Sequence, residues 1–193
     1  MGKNRAILYR IIRYPIIGAI RLLYRPKIID RNNIPKGAVV LACNHKNNID
    51  PLLVVTVTRR TVFFMAKNSL HKGLKKHFFR SVGTIPVDRS IKDETAKSSA
   101  VELLQDGKIL GIFPEGTHNR TTDPIIPFKY GAVSFAKKTN SPVVPMAIIS
   151  TYKKFKRTTI RIGKPFYIGN MDLEKANKLL EKKVKDLLKQ GNS

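Results

Sequence analysis

Apolar residues in this chain fall into short blocks that alternate between two spacings. Ala38-Val39-Val40-Leu41-Ala42-Cys43, Thr61-Val62-Phe63-Phe64-Met65-Ala66, Lys108-Ile109-Leu110-Gly111-Ile112-Phe113 and Val143–Ile149 are brief, branched and nearly free of charge. They have the length of buried strands. Gly83–Arg89 reads as a shorter strand ending in charge, and Thr158–Ile162 as a final edge strand. Between them the spacing becomes helical, from Pro51 to about Thr58, from about Asp93 to Gln105, over 130–138, and through Leu173, Ala176, Leu180, Val184 and Leu187. A further helical segment holds His71, Lys72, Lys75, Lys76 and His77. Alternating strands and helices predict an α/β class with a mixed, largely parallel sheet flanked by helices.

The first 25 residues differ. Ile7, Leu8, Ile11, Ile12, Ile16, Ile17, Ile20 and Leu23 recur at helical spacing, punctuated by Arg5, Arg10, Arg13, Arg21 and Arg25. The longest charge-free run, Tyr14–Ile20, is far short of the ~20 residues a membrane span requires. No cleavage-site pattern or myristoylation signal occurs. The pattern predicts one or two amphipathic helices, bent or divided at Pro15, lying in a membrane interface. Two units are therefore expected: 1–25 as anchor and 26–193 as a single domain.

Polar residues cluster where strands end. The strand over 38–43 runs into Asn44-His45-Lys46-Asn47-Asn48-Ile49-Asp50, and Asp50-Pro51 reads as an N-cap and first helical residue. Asp88-Arg89 and Glu115–Arg120 close two other strands. In α/β sheets, sites lie beyond the C-terminal strand ends. An imidazole beside a carboxylate there can be fixed in one tautomer and take a proton through its other nitrogen. A lone His and an Asp before Pro are also common structural features, so the pair gains weight only from its company.

Charge changes the picture. Lys and Arg number 37 against 13 acidic residues, a formal net charge of +24. Such an excess needs an anionic counterpart: nucleic acid, lipid headgroups or an acidic protein. The single cysteine, Cys43, lies inside an apolar run, which rules out a disulfide framework and suits a core filler. No Gly-x-Ser-x-Gly elbow or Gly-x-Gly-x-x-Gly turn occurs. The nearest P-loop imitation, Gly111–Gly116, is followed by Thr117 where Lys is needed. Neither His71 and His77 nor any other set has metal-ligand spacing. With no nucleophile adjacent to the base, the attacking group is expected to belong to a substrate.

Four blocks in order, Asn44-His45 with Asp50, Gly83–Arg89, Phe113-Pro114-Glu115-Gly116-Thr117 and Val143-Val144-Pro145-Met146, resemble the signature of the glycerolipid acyltransferases. They span about residues 40–150. In length and flavour the chain is similar to the bacterial 1-acylglycerol-3-phosphate (lysophosphatidic acid) acyltransferases of that family. The resemblance implies transfer of a fatty acyl group from a thioester, of acyl carrier protein or coenzyme A, to the free hydroxyl of lysophosphatidic acid, giving phosphatidic acid. It implies no metal or cofactor, with the thioester as co-substrate. His45 would be the base and Asp50 its orienting partner. Arg89, helped by Lys67, would grip the acceptor phosphate. Glu115, in a Glu-Gly-Thr turn with Gly116 and Thr117, would either bind the glycerol portion or brace His45 and Arg89.

Two departures stand out. The family usually follows that turn with Arg then Ser, whereas this chain has His118-Asn119-Arg120. Either His118 takes the phosphate-binding role or Arg120 reaches in. Pro86 also stands where many relatives have Phe. The reading places the protein peripherally on the cytoplasmic face of the cell membrane, where anionic lipids and an acidic carrier protein both attract its charge. A nucleic-acid-binding protein is the alternative of another class, but no binding motif or interleaved aromatic platform supports it. An acyltransferase acting on glycerol 3-phosphate or another lysolipid is the narrower alternative.

Overall fold

The computed structural model describes residues 3–68, 83–88, 91 and 93–191, with the backbone alone for residues 3–12. Arg89 and the expected helical segment with His71 and His77 lie outside the described residues. Helix α1 (Lys3–Tyr24) is followed by β1 (Lys27–Ile29), β2 (Val39–Cys43), the short α2 (Asp50–Val54), β3 (Val62–Lys67) and β4 (Thr84–Val87). Then come α3 (Glu94–Gln105), β5 (Ile109–Ile112), α4 (Gly131–Thr139), β6 (Val143–Ile149), β7 (Thr159–Ile162) and α5 (Leu173–Lys189).

The strands form one seven-stranded sheet in the order β1-β7-β6-β2-β5-β3-β4. Every described pairing is parallel except β6 with β7. The expected α/β class with a largely parallel sheet is therefore the observed one. All five residues of β2 are buried, as befits the centre of a sheet covered on both faces. On one face Val40, Ala42 and Leu110 pack with residues of α3, α4 and α5. On the other, Val39, Leu41, Cys43 and Phe64 pack with α1 and α2.

Two expectations need correcting. β7 is not an edge strand, because Lys27–Ile29 pairs outside it, with Ile28 opposite Ile160. That strand is too short and too close to Pro26 to show a period of two. The helix expected to run to about Thr58 ends at Val54 and gives way to a 3-10 turn over Val55–Val57. α1 is a single helix through Pro15, one of the two forms expected. Its Ile16, Ile20 and Tyr24, four residues apart, pack against the α2 side of the sheet. The Arg13 guanidinium donates to the carbonyls of Val55, Thr58, Arg59 and Arg60, closing the end of the α2 segment. Among the described residues, no helix is long and apolar enough to cross a membrane.

Helix ends follow local chemistry. Asp93 and Asp172 cap α3 and α5, each accepting a hydrogen bond from a first-turn N–H. Gly107, at φ +71°, stops α3 in the left-handed conformation expected of it.

Candidate active site

β2 delivers its polar end to the rim where β3, β4, β5 and β6 also finish. Asn44, fully buried, locks this exit: its amide donates to the Ile148 carbonyl and its Oδ1 accepts from the Ile148 N–H. The chain then turns, and Asp50 opens α2. Asp50 is the first helical residue, with Ile49 in the capping position, so its side chain does not cap the helix as expected. It points back into the loop instead. Its Oδ2 accepts from the backbone N–H groups of Lys46 and Asn47, both at 2.8 Å, and from His45 Nδ1 at 3.0 Å.

This arrangement fixes the chemistry of His45. A carboxylate beside Nδ1 holds a proton on that nitrogen and leaves Nε2 as the acceptor. The Asp50 carboxylate is fully buried, while the His45 side chain remains partly accessible. Tyr152, 102 residues later, completes the carboxylate's shell by donating its hydroxyl to Oδ1 at 2.8 Å. Burial, and then the facing Asp50 charge, push the Tyr152 phenol far above its ordinary value, so it is always a donor.

The second block of contacts holds the His45 backbone and ring. Glu115, buried at the end of β5, accepts from the His45 N–H at 2.6 Å and from the Ile126 N–H at 3.0 Å. Burial raises its carboxyl, and the two N–H groups oppose the shift. Asn119 N–H donates to the His45 carbonyl at 2.7 Å. Phe113 stacks on the imidazole with centroids 4.1 Å apart, and Phe64 stacks on Phe113 at 5.8 Å. His118 also meets His45, ring to ring at 4.2 Å and tilted by 57°. A Cβ built on Gly111 would fall 2.4 Å from Phe64, so the glycine makes room for this column of rings.

Of the expected residues, His45, Asp50, Glu115 and His118 come together. Gly116, at φ +70°, turns the chain, and Thr117 is exposed beside it. Lys67 ends β3 on the same rim, opposite Val87 of β4, with its side chain exposed. Arg120 is exposed, with no described contact to the pair. Two residues were missed. Tyr152 follows β6 in a segment with no local signal. Lys129 lays its ammonium over the turn, 3.1 Å from where a Gly116 Cβ would stand, yet in sequence it is one lysine among many. Burial raises the Cys43 thiol, as suits a core side chain and not a nucleophile. Among the described residues, no group of three His, Cys, Asp or Glu side chains could hold a metal ion.

The site is thus a His–carboxylate pair at the strand ends of a largely parallel α/β sheet. Residues 25–149 match the family model described as Acyltransferase, and the chain belongs to that family. Within it the chain is 32% identical over 150 residues to the 1-acyl-sn-glycerol-3-phosphate acyltransferase of Bacillus subtilis, covering 73% of each chain. It is 33% identical to that of Borreliella burgdorferi, covering 80% of this chain and 64% of the relative. Its fold matches the crystal structure of the 1-acyl-sn-glycerophosphate acyltransferase from Thermotoga maritima with a TM-score of 0.77. That match covers 98% of this chain and 84% of the other at 22% identity.

Proposed function

We propose that this acyltransferase moves a fatty acyl group from a thioester, of acyl carrier protein or coenzyme A, to the free hydroxyl of 1-acylglycerol 3-phosphate, forming phosphatidic acid. The observation that carries the reading is the His45–Asp50 bond: a buried, four-fold hydrogen-bonded carboxylate behind an imidazole whose outer nitrogen is left for substrate. The relatives named for this reaction supply the acceptor.

An alcohol attacks a thioester slowly unless its proton is removed as the C–O bond forms. His45 Nε2 takes that proton, and the imidazolium is stabilised by Asp50. As the tetrahedral centre collapses, the C–S bond breaks and the proton returns to the thiolate, leaving ester and free thiol. General-base catalysis of this kind contributes about 10²–10⁴-fold, with positioning adding the rest. The acceptor phosphate would meet cations on the rim. Lys67, Arg89, His118 and Arg120 are the expected set, and the placement of Lys129 over the Glu115-Gly116 turn adds a fifth. Arg's planar fork suits two phosphate oxygens. His118, where relatives have Arg, favours a second reading in which glycerol 3-phosphate or a different lysolipid is accepted. The enzyme would act peripherally at the cytoplasmic face of the membrane, with anionic lipids drawing its +24 charge.

The test is incubation of the purified chain with lysophosphatidic acid, glycerol 3-phosphate and other lysolipids in turn. Each is paired with either thioester, and products are resolved by mass. Phosphatidic acid from lysophosphatidic acid is the expected product; no acyl transfer to any acceptor overturns the reading.

A further inference from the structure

The loop over 150–158 lies beyond the residues matched to the family and is tied at both ends to features already described. Near its start Tyr152 bonds the Asp50 carboxylate. Further along, the Phe155 N–H donates to the Leu23 carbonyl and the Thr158 N–H to the Tyr24 carbonyl, stitching the loop to the end of α1. The loop and the helix end therefore form one surface on the catalytic side of the sheet.

That surface has an unusual composition. Phe155 is 57% exposed and Leu22 65% exposed, each within two residues of the same backbone hydrogen bond. Lys153, Lys154, Lys156 and Arg157 surround Phe155, all exposed. Arg21, Arg25 and Arg31 line an open depression of about 630 Å³ at the end of α1, with Pro26 and Ile28. None of the ion pairs among the described residues involves these three arginines. Across 21–31 and 150–158 the one acidic residue is Asp30. The loop also holds two aromatics at positive φ, Tyr152 at +56° and Phe155 at +63°, a conformation that bulky side chains seldom adopt. A backbone cost spent to hold one phenyl ring in solvent needs a return.

We propose that the end of α1 and the 150–158 loop form a second lipid-facing surface, seating the mouth of the His45–Asp50 site on an anionic phospholipid bilayer. The inference rests on reading that site as one that acts on a lipid. Single apolar tips ringed by cations suit the headgroup boundary, where the ring enters the acyl region and the ammonium groups meet phosphate. The arginine depression would take a headgroup phosphate. Because Tyr152 belongs to the same loop, the surface that meets lipid also holds the catalytic carboxylate.

The test uses the full chain and vesicles of phosphatidylcholine alone or mixed with phosphatidylglycerol. Two variants are compared with wild type: Leu22→Ala with Phe155→Ala, and Lys153→Gln with Lys154→Gln and Lys156→Gln. The lysine variant should weaken partition onto the mixed vesicles by about a hundredfold, since each lysine near an anionic surface contributes about fivefold, and the Leu22/Phe155 variant by about tenfold through lost apolar insertion. Circular dichroism and turnover of detergent-dispersed lysolipid should stay at wild-type level. Unchanged partition overturns the proposal, as does an equal loss of turnover in detergent. So does unchanged partition with turnover lost only for the carrier-protein thioester, which would assign the surface to an acidic protein. Partition needs no turnover: weakened partition alongside a wild type that acylates no lysolipid would sink the proposed function and leave the surface standing.

Discussion

Tyr152 and Asp50, 102 residues apart, meet at 2.8 Å behind His45. The hydroxyl occupies the one carboxylate oxygen that the His45 loop leaves uncovered, so both lone-pair faces of a fully buried group are satisfied from within the protein. Its role is positional, because it touches the carboxylate and not the reacting atoms.

Tyr152→Phe removes that donor and nothing else. A hydrogen bond to a charged group is worth about 1.5–3 kcal/mol, and three other donors remain, so the loss should lie at the low end. Turnover should fall about tenfold with little change in KM. A pH arm tests the buried phenol directly. The folded-state phenol is raised above its unfolded value near ~10, so its contribution is complete below that value and fades as pH climbs beyond it. Wild-type unfolding free energy, measured by urea titration, should therefore drop more steeply above pH ~10 than that of the variant. Parallel curves would remove Tyr152 from the network.

His45→Ala should abolish most acyl transfer, about 10²–10⁴-fold, while the thermal midpoint stays close to wild type. Its backbone contacts to Glu115 and Asn119 survive the truncation. Asp50→Asn is the sharper experiment. With its oxygen in the place of Oδ2 an amide still accepts from Lys46, Asn47 and His45, but it lacks the charge that stabilises the imidazolium and turns an NH2 toward the Tyr152 hydroxyl. In triads that change costs about 10⁴ in turnover. Single-turnover assays on folded protein would show it; retained turnover in either variant would refute the base assignment.

The strand pattern and the polar rims were legible in the sequence because each block carried its own periodicity. Val39–Cys43 is buried throughout and His45 leaves its end, as alternation and length implied. What was hidden depends on pairing across distance. Lys27–Ile29 becomes a strand only because Thr159–Arg161 lies beside it, and Asp50-Pro51 reads as a cap until the loop before it folds back. Glu115 had no visible partner until the fold placed its carboxylate under the His45 N–H. Tyr152 had no sequence neighbour to announce it.

Gly111 matters through Phe64. A methyl group there would lie 2.4 Å from the Phe64 ring, which stacks on Phe113, which in turn stacks on His45. Gly111→Ala should therefore lower the thermal midpoint, with an overpacking cost of about 1–3 kcal/mol, and reduce turnover by displacing the imidazole. Phe64→Leu in the same chain should recover stability by vacating the space. If the double variant is as unstable as the single, the clash is not the cause.

His118 sits where the family places an arginine and packs at 4.2 Å against the catalytic ring. Two roles divide by kinetics. A phosphate contact made equally in ground and transition states raises KM when removed and spares turnover, whereas support for the imidazole lowers turnover itself. The geometry favours the first, since Phe113 stacks flat on His45 at 21° and supports the ring, while His118 is tilted at 57°. His118→Ala should raise the acceptor KM about tenfold, and His118→Arg should restore it, because a guanidinium supplies two directed donors to one phosphate. The thioester KM should not move in either. A fall in turnover without a change in acceptor KM would transfer His118 from the phosphate to the imidazole.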